Sequence, residues 1–167
     1  MELLIVRHAP AGNRSDFAKR DGRPDRERPL THDGRRKFKR SAKALKRIFP
    51  GLRLIATSPF TRAAQTAHLL HREHEKARLV VLAPLAHGGS ASHVTAWLGR
   101  QRSTNVAVVG HEPDLGRLIG LLTKGRVDAP VTLKKGGAAL VSFEGKPAAG
   151  AGTLLWVVTP GVLKRLG

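Results

Sequence analysis

Four residues of this chain combine reactive chemistry with a telling placement. Arg7 and His8 stand side by side where a short apolar run, Leu3 to Val6, gives out. His111 follows a second apolar run, Val106 to Val109, and directly precedes Glu112 and Pro113. Arg62 lies just past a third, Arg53 to Thr57, within Ser58-Pro59-Phe60-Thr61-Arg62-Ala63-Ala64-Gln65-Thr66. Cationic groups at the mouth of hydrophobic strands are costly to hold without a partner, so an anion is implied. Guanidinium forks match phosphate oxygens and bind them in a bidentate way. Two imidazoles supply a nucleophile and a second proton-bearing group. A helix beginning after His111 adds backbone N–H donors that lack intrahelical partners. The four side chains suit a cage for a phosphate dianion with a nucleophile built into it, and phosphoryl transfer through a phosphohistidine follows. Singly, each has a bland account: a chance Arg-His pair in a basic chain, a structural histidine, a surface arginine. The reading rests on their conjunction at strand ends.

That conjunction requires elements that bring three segments to one edge. Short β-branched runs alternate with amphipathic stretches along the chain. Strands are expected at Leu3–Val6, Arg53–Thr57, Leu79–Leu82, Val106–Val109, Ala139–Phe143 and Thr153–Val158. Phe38, Ala42, Leu45, Ile48 and Phe49 recur at helical spacing after Thr31, with Arg and Lys on the other face and a stop at Pro50-Gly51. Further helices are expected from Pro59 to about His74, at Ser92–Leu98, and from Pro113 through Leu122. Residues 9–31 read as a polar loop, and His68, His71 and His74 as solvent-facing helix residues. Strands apolar on both faces, joined by amphipathic helices, define the α/β class: a three-layer α/β/α sandwich around a mostly parallel central sheet. Ligands of such folds collect at the carboxyl ends of the strands, where the four residues lie.

Length and composition set the outer bounds. The chain has 167 residues, a single domain's worth, and no cysteine, which excludes disulfide and thiolate chemistry. No secretory signal is apparent, and no run reaches the roughly 18 apolar residues that a membrane span requires, so a cytoplasmic protein is expected. The net charge of +18 draws in anions: nucleic acid, a phosphorylated protein or a small phosphate compound. A solvated basic surface explains it equally well. Few aromatics, no Tyr and no nucleic-acid motif argue against a nucleic-acid or polyphosphate module. A metal site is not expected, because flanking arginines repel cations and no Cys or His-Glu-X-X-His ligand set is present.

Val6-Arg7-His8-Ala9 resembles the Arg-His-Gly signature of the histidine phosphatase superfamily. Residues Ser58 to Thr66 resemble its second motif, and Val109-Gly110-His111-Glu112-Pro113 its third. Ala9 in place of Gly, together with Asp25-Arg26-Glu27-Arg28-Pro29-Leu30-Thr31-His32-Asp33-Gly34, is similar to the small phosphohistidine phosphatase, SixA-like branch. The resemblance runs from residue 3 to about 159 and implies a phosphoglycerate mutase-like fold over 1–167, without a large cap insertion. It further implies His8 as nucleophile, Arg7 and Arg62 as holders of the equatorial oxygens, and His111 as a hydrogen-bond donor to the transferring group. Arg28 and Glu112 are added as candidate substrate contacts, the former with a solvated loop arginine as its plainer account. No metal or organic cofactor is implied. The expected partner is a phosphorylated protein, such as a histidine-containing phosphocarrier domain, or a small phosphate compound; a monomer is expected.

One departure bears on substrate. Many superfamily members carry a carboxylate after the third strand as general acid for an alcohol leaving group, yet no Asp or Glu occurs from Lys76 to Gly110. His87 lies near that slot. Losing general-acid help costs a factor of about 100 to 10,000, and a departing imidazole needs such help less than an alkoxide. The gap therefore favours an N–P substrate, with Glu112, Asp114 and Asp25 as carboxylates that could substitute. A small-molecule phosphomonoesterase is the alternative; a mutase fits less well, because return transfer calls for a closed site.

Overall fold

The computed structural model describes all residues, 1–167. Six strands form one sheet: β1 (Glu2–Arg7), β2 (Leu54–Thr57), β3 (Arg78–Val81), β4 (Asn105–Gly110), β5 (Ala138–Ser142) and β6 (Thr153–Val158), in the order β3-β2-β4-β1-β5-β6. β1, β2, β3 and β4 are mutually parallel, while β5 pairs antiparallel with both β1 and β6. The sheet is thus mostly parallel, as the apolar runs require. Alternate residues serve opposite faces. Leu4 and Val6 of β1 join Ile55 and Val109 under α2 (His32–Ile48), α3 (Thr61–Glu73) and α6 (Pro160–Leu166), through Phe38, Leu45, Leu70 and Leu163. Leu3 and Ile5 join Val106 and Val108 beneath α4 (Ala91–Gly99) and α5 (Asp114–Lys124), through Leu98, Leu118 and Ile119. These are the three layers of a phosphoglycerate mutase-like fold. No helix is long and apolar enough to cross a membrane.

Several expectations are corrected. Residues 9–31 are not all loop: α1 spans Arg14–Asp21, and a 3₁₀ turn follows at Asp25–Glu27. Phe17 is the only buried residue of α1, so no apolar period announces it. Its signals are instead its caps, Asn13 Oδ1 accepting from Ser15 N–H at 2.8 Å and Gly22 in the left-handed conformation at φ 60°. Pro59 lies before α3, and Pro113 occupies the cap of α5 rather than its first turn. α6, capped by Thr159, lies beyond the last expected element. Ile48 is exposed, off the apolar stripe of α2. His74 is buried rather than solvent-facing, because the turn made by His74 N–H to His71 and Ala77 N–H to His74 tucks it under the end of α3. β3 and β6 are half-exposed because they are the two edges of the sheet.

One contact couples this framework to the candidate site. Gly34, in the first turn of α2, receives its cap from Thr31 Oγ1 at 2.9 Å and presses on the segment after His8. A Cβ there would overlap the carbonyl oxygen of Pro10. Gly34→Ala should therefore lower stability by about 1–3 kcal/mol, the usual cost of overpacking. Urea denaturation measures this; an unchanged midpoint would contradict the contact.

Candidate active site

The carboxyl ends of β1, β2 and β4 lie side by side, because Thr57 pairs with Val109 and Arg7 with Gly110. Backbone hydrogen bonds lock the exits: His8 N–H donates to Gly110 O at 3.0 Å and Ser58 N–H to Val109 O at 2.9 Å. Gly136 N–H donates to the carbonyls of both Arg7 and His8 at 3.1 Å. Ala9 N–H donates to Thr66 Oγ1 at 3.1 Å, and Thr66 donates onward to Arg62 O at 2.7 Å, tying α3 to the residue after His8. Register alone thus brings the three segments to one edge.

There the structure assembles His8, His111, Arg7 and Arg62. The imidazoles of His8 and His111 lie 5.1 Å apart, centroid to centroid, and both are buried. His8 Nδ1 sits 2.7 Å from Ala9 O, which can only accept, so the proton is on Nδ1 and Nε2 carries the free lone pair. Burial chiefly, helped by the guanidinium groups of Arg62 and Arg7 and by the Lys135 ammonium, lowers its pKa to about 4 against the pull of Ala9 O. The ring is neutral at physiological pH, with a nucleophilic Nε2. Burial is therefore the larger cause, ahead of the arginines.

His111 Nε2 lies 2.8 Å from Ser58 Oγ, which also accepts from Phe60 N–H at 3.2 Å. The buried Ser58 hydroxyl has no other acceptor for its proton, so it donates to Nε2 and leaves the His111 proton on Nδ1. Burial, then the neighbouring charges of His8 and Arg62, lowers the pKa of His111 to about 3. Its Nδ1 is buried without a partner, and so are Arg7 Nε and Arg62 Nε. Buried unpartnered donors are rare in folded proteins and call for an explanation. These three belong to the four residues singled out by the sequence; the other buried unpartnered atoms are the two ring nitrogens of His74, at the far end of α3. Grouped around His8, the three donors would suit a socket for an oxyanion.

The guanidinium groups are held from behind. Arg62 Nη1 donates to Asp25 O at 2.8 Å and Nη2 meets Asp25 Oδ2 at 3.2 Å, while its Cζ lies 5.0 Å from the centroid of the Phe60 ring. Arg7 Nη1 donates to Leu133 O at 2.6 Å. The structure does not bring Glu112 into the socket: Oε1 accepts from Leu133 N–H at 2.7 Å and Oε2 from Gly116 N–H at 3.2 Å. Arg28 is spent on bracing as well, with Nε on Asp25 Oδ1 at 2.8 Å and Nη1 on the carbonyls of Ala11 and Gly12 at 3.0 and 2.6 Å. Asp25 and Asp114 are likewise committed, the latter accepting from Gly88 N–H at 2.8 Å. None of the three carboxylates is free to swing in.

Sequence reasoning did not single out Ser58 or Lys135, and it read Asp25 only as a carboxylate that could substitute as acid. Ser58 sets the His111 tautomer, and Asp25 clamps Arg62. Lys135 adds a cation whose pKa burial and then Arg7, Arg28 and Arg62 push down. Lys135 is one of 30 Lys and Arg residues, so only its place in the Gly136 turn, before β5, distinguishes it.

An α/β sandwich with two buried imidazoles and two guanidinium groups at its carboxyl edge is the architecture of a phosphoryl-transfer protein. A family model for the histidine phosphatase superfamily (branch 1) matches residues 3–86. A protein of Picosynechococcus sp., itself uncharacterized, is 35% identical over 140 residues, 82% of each chain. The structure of the protein histidine phosphatase SixA complexed with tungstate superposes with a TM-score of 0.80 at 27% identity, covering 98% of this chain and all of that one. A mycobacterial glucosyl-3-phosphoglycerate phosphatase complexed with VO₃ shares the fold, with a TM-score of 0.66 at 16% identity over 95% of this chain and 99% of that one. This chain belongs to the histidine phosphatase superfamily, and at that level it is a phosphatase acting on phosphorylated substrates.

The tautomers can be tested directly. In ¹⁵N NMR of the imidazoles at about pH 6, below the ordinary histidine pKa and above that of the buried rings, His8 and His111 should both be neutral with Nδ1 protonated. A charged ring for either residue, or His8 protonated on Nε2, would contradict the geometry.

Proposed function

We propose that this protein is a phosphohistidine phosphatase, hydrolysing the N–P bond on a partner protein through a phospho-His8 intermediate. The observation that carries this is the socket: three buried donors without partners beside a neutral, deprotonated Nε2. In the proposed mechanism the phosphoryl group docks on Arg7, Arg62 and His111 Nδ1–H, with His8 Nε2 in line with the bond to be broken. Nε2 attacks phosphorus, and the bonding pair of the broken bond leaves with the substrate nitrogen. Water then attacks phospho-His8, the pair returns to Nε2, and phosphate departs. Catalysis comes from positioning and fixed positive charge, to which Lys135 adds. Glu112 acts as a positioning residue through Leu133, which holds Arg7, and Arg28 acts through Asp25, which holds Arg62.

Two features support an N–P bond on a protein. The carboxylates around the socket are all engaged, so the site best suits a leaving imidazole, which takes up a proton on its distal nitrogen by itself. From β4 onward the connections are α5, the turn before β5, the 143–152 loop and α6, none large enough to form a cap, so the mouth is open to a side chain presented by another protein. The exposed cations of α2, including Arg35, Lys39, Arg40 and Lys43, offer an acidic partner a complementary face. A histidine-containing phosphocarrier domain fits this description. We further propose one monomeric domain over 1–167, acting in the cytoplasm without a metal or organic cofactor.

His8→Ala should abolish both turnover and the acid-labile phosphoenzyme, by more than about 1,000-fold in rate, while activity in chelator should be undiminished. Robust hydrolysis by His8→Ala would remove the nucleophile. A rate on phosphohistidine protein no better than on a panel of phosphate monoesters would move the assignment to small-molecule substrates.

A further inference from the structure

His87, marked by the sequence as lying near the slot of a general acid, has no part in the socket. It lies beyond β3 and the 3₁₀ turn Ala83–Leu85, with its side chain 55% exposed. Its ring meets His111 edge-on, with centroids 6.2 Å apart and planes at 73°. It therefore stands at the mouth, next to the residue that contacts the transferring group. Its Nδ1 lies 3.4 Å from Asp114 Oδ2. That same oxygen accepts from Gly88 N–H at 2.8 Å, so the carboxylate facing the ring also fastens the loop that carries it. Asp114 itself is fixed, as the first residue of α5 with its side chain only 12% exposed.

An imidazole turned toward a carboxylate on Nδ1 keeps its other nitrogen, on the opposite edge, for proton transfer. We propose that His87, oriented by Asp114, is the proton donor to the leaving group, and that it extends the site to phosphate monoesters of poor alcohol leaving groups. The inference rests on the phosphatase reading above but not on which substrate class is physiological. As His8 Nε2 attacks phosphorus, the P–O pair goes to the leaving oxygen, which takes the proton from His87 Nε2. In the second step neutral His87 Nε2 accepts a proton from water as the water oxygen bonds to phosphorus. The P–N pair returns to His8, His87 is again protonated, and the sum is ester plus water giving alcohol plus phosphate. Asp114 is a positioning residue in both steps.

Leaving-group dependence separates a proton donor from a structural loop residue. Nitrophenolate departs without a proton, whereas an alkoxide does not. His87→Gln should slow an alkyl phosphate by about 100- to 10,000-fold and p-nitrophenyl phosphate far less, changing the ratio of the two rates by more than about tenfold. Asp114→Asn should shift that ratio in the same direction by less, with kcat rather than KM affected. Equal effects on both esters, no effect on either, or a wild-type protein that turns over p-nitrophenyl phosphate but no alkyl phosphate would each overturn the donor role. Loss of activity on every phosphorylated probe in the wild type would instead overturn the phosphatase reading itself.

Discussion

The site depends on positive charge and donor hydrogens held away from water without acceptors from the protein itself. Leaving a buried donor unpaired costs about 1–3 kcal/mol, and more when it is charged, so the fold sustains this only through bracing from behind. Asp25 grips the two terminal nitrogens of Arg62, Leu133 O takes one of Arg7, and Ser58 holds His111. In each case a buried nitrogen is left without a partner: Arg62 Nε, Arg7 Nε and His111 Nδ1. The same burial keeps the two imidazoles neutral, so His8 remains a nucleophile amid cations. A transferring PO₃ group supplies the missing acceptors, and its developing charge is what the socket stabilises.

The braces show how the fold serves the chemistry. Glu112 and Arg28 look like substrate contacts when seen as charges beside motifs, yet Glu112 spends both carboxylate oxygens, and Arg28 its Nε and Nη1, on the protein. Glu112 ties α5 to the Leu133 segment and thereby sets where Arg7 can lie; Arg28 joins Asp25 to the Ala11-Gly12 backbone and so steadies the clamp on Arg62. A carboxylate facing a phosphate would oppose binding, whereas one turned to backbone N–H groups stiffens the frame. Preorganisation of this kind is what phosphoryl transfer asks of a protein.

The parts of this arrangement legible in the sequence are those fixed by local pattern. Leu3–Val6 and Val106–Val109 are apolar on both faces because they pair with each other at the centre of the sheet, and their ends therefore marked the edge where His8 and His111 meet. The helix α2 announced itself by period. What stayed hidden was set by tertiary contact or by caps. α1 buries only Phe17, and its start and stop lie in Asn13 and Gly22. Ser58 and Lys135 acquire their roles only when β2 and the turn before β5 come beside β1. His74 seemed exposed because its burial is decided by the turn after α3 and not by its helical phase.

The central claim is that one oxyanion-sized socket joins His8 Nε2 to Arg7, Arg62 and His111. A crystal structure with vanadate bound tests it most directly. Vanadium bonded to His8 Nε2, with its equatorial oxygens on Arg7 Nε, Arg62 Nε and His111 Nδ1, is the result this account predicts. Vanadate bound elsewhere, or in this pocket with His8 Nε2 turned away and the three nitrogens still unpartnered, would contradict it.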